Sequence, residues 1–243
     1  MSKNAIVIGA TSGIGRSVAE CLAAHGYRVG ITGRRIELLQ EMEQAAPGSF
    51  VAMQMDVMQL EQSVEQLKEL IARLGDLDLL MINSGIGDLD RELDFAIERR
   101  TIETNVLGMA NLAVYGTHYF INRKAGHLVL MSSVASIRGS KIAPAYNASK
   151  AFISNYAEGL RQKVNGLPIT VTDIRPGFVD TALGQTYPIH FWLSTPDEAA
   201  TDIYKAICKK KKIAYISGRW KWAAYMMRLI PVGVYCRMGK RLQ

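Results

Sequence analysis

The most informative segment of this 243-residue chain is Ala5-Ile6-Val7-Ile8-Gly9-Ala10-Thr11-Ser12-Gly13-Ile14-Gly15. Four consecutive apolar residues predict a buried strand, and the glycines after it allow a tight turn into a helix. Such a turn lets a pyrophosphate approach the helix N-terminus, although an ordinary glycine-rich turn looks similar. The strand before and the helix after it favour a dinucleotide site, whose expected residues are Gly9, Thr11, Ser12, Gly13, Ile14 and Gly15.

The rest of the chain repeats this alternation of short apolar runs and longer segments of helical period. The alternation predicts an α/β fold, a Rossmann-like doubly wound parallel sheet of about seven strands with helices on both faces. We expect strands at 5–9, 27–32, 50–55, 77–82, 127–132, 169–174 and 212–216, and helices at 14–25, 36–45, 59–74, 99–122, 145–165 and 197–210.

Domain organisation and the place of the pocket follow from length and patterning. We take residues 1–243 as one domain with a basic, aromatic C-terminal extension at about 218–243, although this length also permits two smaller domains. The weakly patterned segments 84–94, 134–143 and 178–195 are expected to form the pocket, because ligands bind at the carboxyl ends of parallel strands.

The choice of dinucleotide rests on two arginines. At the end of the second predicted strand, where NAD-binding sheets place an acidic residue, the sequence reads Gly33-Arg34-Arg35. A carboxylate would repel a 2′-phosphate, whereas guanidinium groups bind one. NADP(H) is therefore favoured over NAD(H), with Arg34 ahead of Arg35 as the phosphate ligand. The alternative is a solvated arginine pair, although a helix start is an unfavourable place for cations.

A tyrosine and a lysine form the candidate proton-transfer centre. Tyr146 and Lys150 are four residues apart, on one face of a predicted helix. A tyrosine titrates near pKa ~10 and becomes a useful base only when a nearby positive charge stabilises its phenolate. Such pairs are common in helices by chance. Ser133, thirteen residues before Tyr146 at the end of an apolar strand, makes the pattern specific because its hydroxyl can hydrogen-bond a carbonyl oxygen.

With these residues in this order, the chain resembles the short-chain dehydrogenase/reductase family over about residues 4–217. Gly9, Gly13 and Gly15 match the glycine turn of the family. Ile8 stands where the turn of the family usually begins with a threonine, and Ile82-Asn83-Ser84-Gly85 stands in place of the Asn-Asn-Ala-Gly segment of the family. The other matches are Asp56 with Val57 at the adenine, Asn83 and Gly85 after the fourth strand, Asn105, Ser133, Tyr146 and Lys150 as the catalytic set, and Pro176, Gly177, Val179 and Thr181 around the nicotinamide.

The resemblance implies hydride transfer between a nicotinamide and a carbonyl or alcohol substrate. Tyr146 would move the proton, Ser133 would orient the oxygen, Lys150 would lower the pKa of Tyr146, and Asn105 would hold a water leading from Lys150 to solvent. A homodimer or homotetramer is expected. The alternative is an NADPH-binding regulatory or scaffold protein of the same fold without turnover.

The substrate pocket is predicted to be apolar and to suit a lipophilic substrate, although the same residues could form only a lid over the nicotinamide. The residues concerned are Ile137, Ile142, Phe178, Tyr187, Phe191 and Trp192.

Positive charge is concentrated at the C-terminal end. Residues 201–243 contain 11 Lys and Arg against one acid, Asp202, whereas the first 200 residues carry 18 basic and 21 acidic residues. The basic end contains no nucleic-acid-binding motif, so no nucleic-acid partner is expected. Its segment 219–230 combines aromatic, apolar and cationic residues, which suits peripheral contact with an anionic membrane. Packing over the substrate cleft or against a partner subunit is the alternative.

Cysteine and histidine spacing argues against metal binding. Cys21, Cys208 and Cys236 form no CxxC pair, and the four histidines show no ligand spacing. No metal is therefore expected. The N-terminus has no room for a secretion signal before the first strand, and no uncharged apolar run approaches the roughly 20 residues of a membrane span. These features predict a cytoplasmic protein, peripheral at most.

Overall fold

The computed structural model describes residues 3–185 and 192–240. These residues form a sheet of seven parallel strands in the order β3-β2-β1-β4-β5-β6-β7, so the strand order reverses between β1 and β4. The predicted α/β fold is confirmed. The strands are β1 Lys3–Ile8, β2 Tyr27–Gly33, β3 Phe50–Gln54, β4 Leu79–Ile82, β5 Gly126–Met131, β6 Ile169–Pro176 and β7 Ile213–Ile216.

Helices cover both faces of the sheet, which explains why its strands are apolar without alternation. In β1, Ala5 and Val7 belong to the core under one layer of helices, and Ile6 and Ile8 belong to the core under the other. The helices are α1 Gly13–Ala24, α2 Ile36–Ala45, α3 Leu60–Leu74, α4 Phe95–Ile102, α5 Met109–Arg123, α6 Pro144–Lys163, α7 Ala182–Gln185, α8 Pro196–Cys208, α9 Arg219–Leu229 and α10 Val232–Lys240. Helices α1, α2 and α8 pack on one face, and α3, α5 and α6 pack on the other.

The helix predicted at 99–122 differs from the observed structure. It begins earlier, at Phe95, because the Asp94 carboxylate caps the helix by accepting a 2.9 Å hydrogen bond from the Ala96 amide. It is also interrupted by a π-helical stretch at Glu103–Gly108, between α4 and α5. Such stretches are common at functional sites, and this one carries Asn105.

The C-terminal extension, for which the sequence predicts no secondary structure, contains α9 and α10 on either side of Pro231. Both helices lie close to the segment after β5. Arg138 donates a 2.8 Å hydrogen bond to the Ile230 carbonyl, and the Tyr235 hydroxyl donates one of 2.7 Å to the Gly139 carbonyl. No helix in the described part of the chain is long and apolar enough to cross a membrane.

The amino end of the sheet is held by polar contacts. The Arg123 guanidinium lies 2.7 Å from Asp76 Oδ2 and 2.6 Å from Asp78 Oδ1, which joins the end of α5 to the start of β4. The buried His127 imidazole is 2.7 Å from the Thr172 hydroxyl, which itself donates to the Lys211 carbonyl. Because the hydroxyl proton is used there, His127 Nε2 donates to Thr172.

Candidate active site

A cavity of about 690 Å³ opens at the carboxyl ends of the strands, beside the reversal of strand order between β1 and β4. Most of the residues predicted at the site form its wall. They are Gly9, Thr11, Ser12, Gly13, Ile14, Arg34, Arg35, Asp56, Val57, Asn83, Gly85, Ser133, Tyr146, Lys150, Pro176, Gly177, Val179 and Thr181. Gly15 and Asn105 are outside this wall, and both are buried.

The turn between β1 and α1 allows close backbone approach. Gly9 has φ +86°, and a Cβ there would lie 2.8 Å from the Ser84 amide nitrogen. The Asn83 side-chain amide donates a 2.8 Å hydrogen bond to the Gly9 carbonyl and so holds the turn against β4. A Cβ at Gly15 would lie 2.0 Å from the same carbonyl oxygen, so the start of α1 packs directly against the Gly9 backbone. A side chain at either position would therefore collide with the backbone, and the close packing of this turn requires glycine.

Cationic and hydroxyl groups surround this turn. The Arg35 guanidinium donates hydrogen bonds of 2.8 Å to the Thr11 hydroxyl and 2.9 Å to the Ser12 hydroxyl. The exposed Arg34 lines the cavity beside it. Arg35 therefore contacts the turn directly, although the sequence favoured Arg34 as the phosphate ligand. Guanidinium, hydroxyl and backbone N–H groups are the donors that phosphates need, so the residues at this end fit a dinucleotide phosphate.

Ser133, Tyr146 and Lys150 meet at the other end of the cavity. Ser133 follows β5 and accepts a 3.1 Å hydrogen bond from the Ala135 amide, while Tyr146 and Lys150 project from α6. The Lys150 ammonium donates a 3.0 Å hydrogen bond to the Met131 carbonyl and lies 5.6 Å from the centroid of the Tyr146 ring. All three side chains are buried yet line the cavity.

Burial governs the titration of this centre. It raises the pKa of Tyr146, and a hydrogen bond with Ser133 only partly opposes the shift. Burial also lowers the pKa of Lys150 to about 8, although the Asp173 carboxylate opposes that shift. The net shift of the Tyr146 pKa is upward because loss of solvent outweighs the hydrogen bond with Ser133. The effect of Lys150 on that pKa stays a prediction. At neutral pH the Tyr146 phenol keeps its proton.

Asn105 acts on the loop after β4. Its side-chain oxygen accepts a 2.9 Å hydrogen bond from the Ile86 amide, and its side-chain nitrogen donates one of 2.8 Å to the Ile86 carbonyl. The same nitrogen donates to the Ser149 hydroxyl at 3.0 Å. These bonds join the loop that carries Gly85 to the helix that carries Lys150. The predicted water beside Asn105 stays a prediction.

A buried ion pair behind the catalytic end was not predicted. Asp173 in β6 is fully buried, accepts a hydrogen bond from Ser132 and lies 2.7 Å from the Arg175 guanidinium. Ser132 immediately precedes Ser133, so this pair fixes the end of β5. An acid and an arginine inside the apolar run Ile169–Pro176 were the available sequence signal.

Helix α9 also contributes to the cavity wall through Trp220 and Met227, neither of which was predicted there. The Trp220 ring packs edge-to-face against Phe178 at 5.5 Å and against Trp192 at 5.4 Å between ring centroids. Of the residues predicted for an apolar pocket, Phe178 lines the cavity, and Ile137, Ile142 and Trp192 are outside its wall. Tyr187 and Phe191 lie outside the described residues.

Within residues 3–185 and 192–240, no group of three His, Cys, Asp or Glu residues is placed to hold a metal ion.

Comparison with known proteins identifies relatives of this chain. The sequence profile of the short chain dehydrogenase family matches residues 3–189. An uncharacterized oxidoreductase of Myxococcus xanthus is 36% identical over 250 residues, which cover 99% of this chain and 98% of the relative. That match includes the region of α9 and α10.

Solved structures share the same architecture. Serine dehydrogenase, in a closed form complexed with NADP+, superposes with a TM-score of 0.78 at 25% identity, over 84% of this chain and 88% of the other. A short chain dehydrogenase/reductase from Burkholderia phymatum in complex with NAD gives a TM-score of 0.84 at 20% identity, over 92% of each chain. The second likeness concerns the fold alone.

Proposed function

The chain belongs to the short-chain dehydrogenase/reductase family, and from this premise we propose that it is an NADP(H)-dependent oxidoreductase of carbonyl or alcohol substrates. The observation that carries the proposal is one cavity whose wall contains both the glycine turn with its arginines and the set Ser133, Tyr146 and Lys150. A dinucleotide in this cavity would have phosphate-binding donors at one end and a buried proton donor at the other.

Tyr146, Ser133 and Lys150 would each have a separate role in the proposed reaction. A bound nicotinamide dinucleotide supplies or accepts the hydride. Tyr146 holds a proton at its hydroxyl and donates it to the substrate oxygen in reduction. Ser133, hydrogen-bonded to Tyr146, orients the same oxygen. The Lys150 ammonium stabilises the phenolate that remains after proton transfer. Reduction uses the protonated form of Tyr146, and the reverse oxidation uses its phenolate.

The NADP(H) preference rests on Arg34 and Arg35, since the cavity has two guanidinium groups at the position where a carboxylate would favour NAD(H). Serine dehydrogenase, a structural relative, is complexed with NADP+. Measurement of both dissociation constants tests the preference. We expect Arg34→Ala to weaken binding of NADPH by roughly tenfold or more and to leave binding of NADH nearly unchanged, whereas Arg35→Ala also removes the hydrogen bonds to Thr11 and Ser12 in the turn that both cofactors share. Equal losses for both cofactors would contradict the preference.

A lipophilic carbonyl compound is the proposed substrate, because Phe178, Trp220 and Met227 line the cavity. The test is a screen of aldehydes, ketones, quinones and alcohols with NADPH and NADH in parallel. We expect NADPH oxidation with apolar carbonyl compounds. Tight NADPH binding without turnover across the panel would favour the alternative, a regulatory or scaffold protein.

Assembly and location are further parts of the proposal. A homodimer or homotetramer is supported by apolar side chains exposed on α6, on α5 and just before it, namely Phe152, Val114 and Leu107. A cytoplasmic location is supported by the free thiols of Cys21, Cys208 and Cys236, which suit a reducing compartment. We also propose one domain, and no nucleic-acid partner.

A further inference from the structure

Helix α9 has two apolar faces. The inner face consists of Trp220, Ala223, Ala224 and Met227, spaced as neighbours on one side of a helix. Trp220 and Met227 reach the cavity wall, so this face is accounted for by packing. A helix that only covered the cleft would carry polar residues on its other side.

The outer face of α9 is apolar as well. It consists of Trp222, Tyr225, Met226 and Leu229, which repeat the same helical spacing on the opposite side. Trp222 is 72% exposed and Leu229 is 77% exposed, and Val232 at the start of α10 is also exposed. An exposed cluster of large apolar side chains on one helix indicates an interaction surface.

Cations flank this outer face. Arg219 lies on one side of it, and Lys221 and Arg228 lie on the other, by the positions they occupy around the helix. None of these three forms an ion pair with an acidic residue of the described chain. The sequence contains no acidic residue after Asp202. The partner of the surface must therefore supply both an apolar phase and negative charge.

We propose that the outer face of α9, defined by Trp222, Tyr225, Met226 and Leu229, docks on an anionic phospholipid membrane surface. The apolar side chains enter the boundary between headgroups and acyl chains. The flanking Lys and Arg side chains extend so that their charged ends contact lipid phosphates. A second copy of this chain fits less well, because a two-fold interface would set Lys221 and Arg228 against the same cations. Nucleic acid would leave Trp222 and Leu229 without an apolar environment.

Vesicle cosedimentation of the full chain tests the proposal without any need for turnover, so its result is independent of the proposed reaction. Vesicles of phosphatidylcholine alone are compared with vesicles that also contain phosphatidylserine, at low and high salt. We expect binding to the anionic vesicles only, weakened by salt. Lys221→Glu/Arg228→Glu should reduce the fraction bound by roughly tenfold or more, since each cation near an anionic surface contributes. Trp222→Ser/Leu229→Ser should reduce binding as well.

Matched controls lie elsewhere on the surface. Phe95→Ser replaces an apolar side chain that is 75% exposed on α4, and Lys209→Glu reverses an exposed charge before β7, at the opposite end of the sheet. Both should bind like the unmodified protein, and thermal unfolding should show that every variant is folded. Absence of binding to anionic vesicles, or equal losses in these controls, would overturn the proposal. Concentration-dependent self-association that Trp222→Ser/Leu229→Ser abolishes, without vesicle binding, would instead assign the face to a second copy.

Discussion

At the carboxyl end of the sheet, Tyr146 and Lys150 are buried polar groups that face a cavity, whereas at the amino end His127 and Thr172 are buried polar groups that face each other. At both ends these polar side chains are buried away from water. At the amino end the hydrogen bonds are completed within the protein. At the carboxyl end, burial shifts the pKa of a phenol and of an ammonium that border open space. Buried polar groups at the amino end thus support folding, and those at the carboxyl end are arranged for a reaction at some expense of stability.

The largest expected effect is on turnover at the carboxyl end. Tyr146→Phe removes the proposed proton donor and should lower kcat by roughly 10²- to 10⁴-fold, the usual contribution of general acid catalysis. NADPH binding, measured by titration, should change little. Tyr156→Phe is the matched control, because Tyr156 lies on the same helix outside the cavity wall. Similar rates for Tyr146→Phe and the unmodified enzyme would refute the assignment.

The next effect compares two glycines. Gly9 and Gly48 have φ of +86° and +84°, but a Cβ at Gly9 would lie 2.8 Å from the Ser84 backbone, whereas a Cβ at Gly48 would meet nothing within 4 Å. Both alanine variants should lose about 1–2 kcal/mol of stability through their left-handed backbone, and Gly9→Ala should lose about 1–3 kcal/mol more because its Cβ overlaps the Ser84 backbone. Only Gly9→Ala should weaken NADPH binding, by roughly tenfold to a hundredfold, because the overlap displaces the cofactor turn. Equal cofactor affinities in the two variants would show that the turn at Gly9 does not contact the cofactor.

The amino end should determine acid sensitivity. Burial lowers the pKa of His127 to about 4. Below its unfolded pKa of about 6.5 the unfolded chain binds a proton that the folded chain excludes, so stability falls as pH decreases toward 4. From pH 7 to pH 5, His127 should contribute a loss of about 2 kcal/mol. Urea unfolding should show a smaller loss in His127→Gln, and an unchanged one in the control His118→Gln, which alters an exposed histidine.

The smallest effect is expected for the ion pairs of the amino end. Hydrogen bonds from Arg123 lower the pKa of Asp76. Stability from this carboxylate is present above its unfolded pKa and is lost as pH falls through its folded one. The Asp76 side chain is 48% exposed, so solvent screens the pair and Asp76→Asn should cost only about 0.2–1 kcal/mol in urea unfolding. Turnover of Asp76→Asn at neutral pH should equal that of the unmodified enzyme. A marked loss of turnover would show that the amino end of the sheet affects the catalytic end.

Sequence patterning predicted the strands well because both faces of the sheet are covered, so each strand is an apolar run. It failed where a property depends on distant packing. The π-helical turn at Asn105 requires its partners Ile86 and Ser149, which no spacing indicates. The rise of the Tyr146 pKa depends on the depth of burial, which no spacing indicates. The mixture of aromatic, apolar and cationic residues at 219–230 was visible in the sequence, but only the folded structure shows that Trp220 lines the cavity.

The free energy of unfolding of Lys150→Met at pH 7, measured without cofactor, tests most directly whether the carboxyl end is built at the expense of stability. Burial lowers the pKa of Lys150 to about 8. The pKa of an unfolded lysine is about 10.4. Keeping Lys150 charged in the folded state at pH 7 therefore lowers the free energy of unfolding by about 3 kcal/mol. The lost hydrogen bond to Met131 offsets part of that gain, so we predict a net rise of about 1–2 kcal/mol in unfolding free energy together with loss of turnover. A fall of more than about 2 kcal/mol, typical of a broken structural contact, would contradict the account.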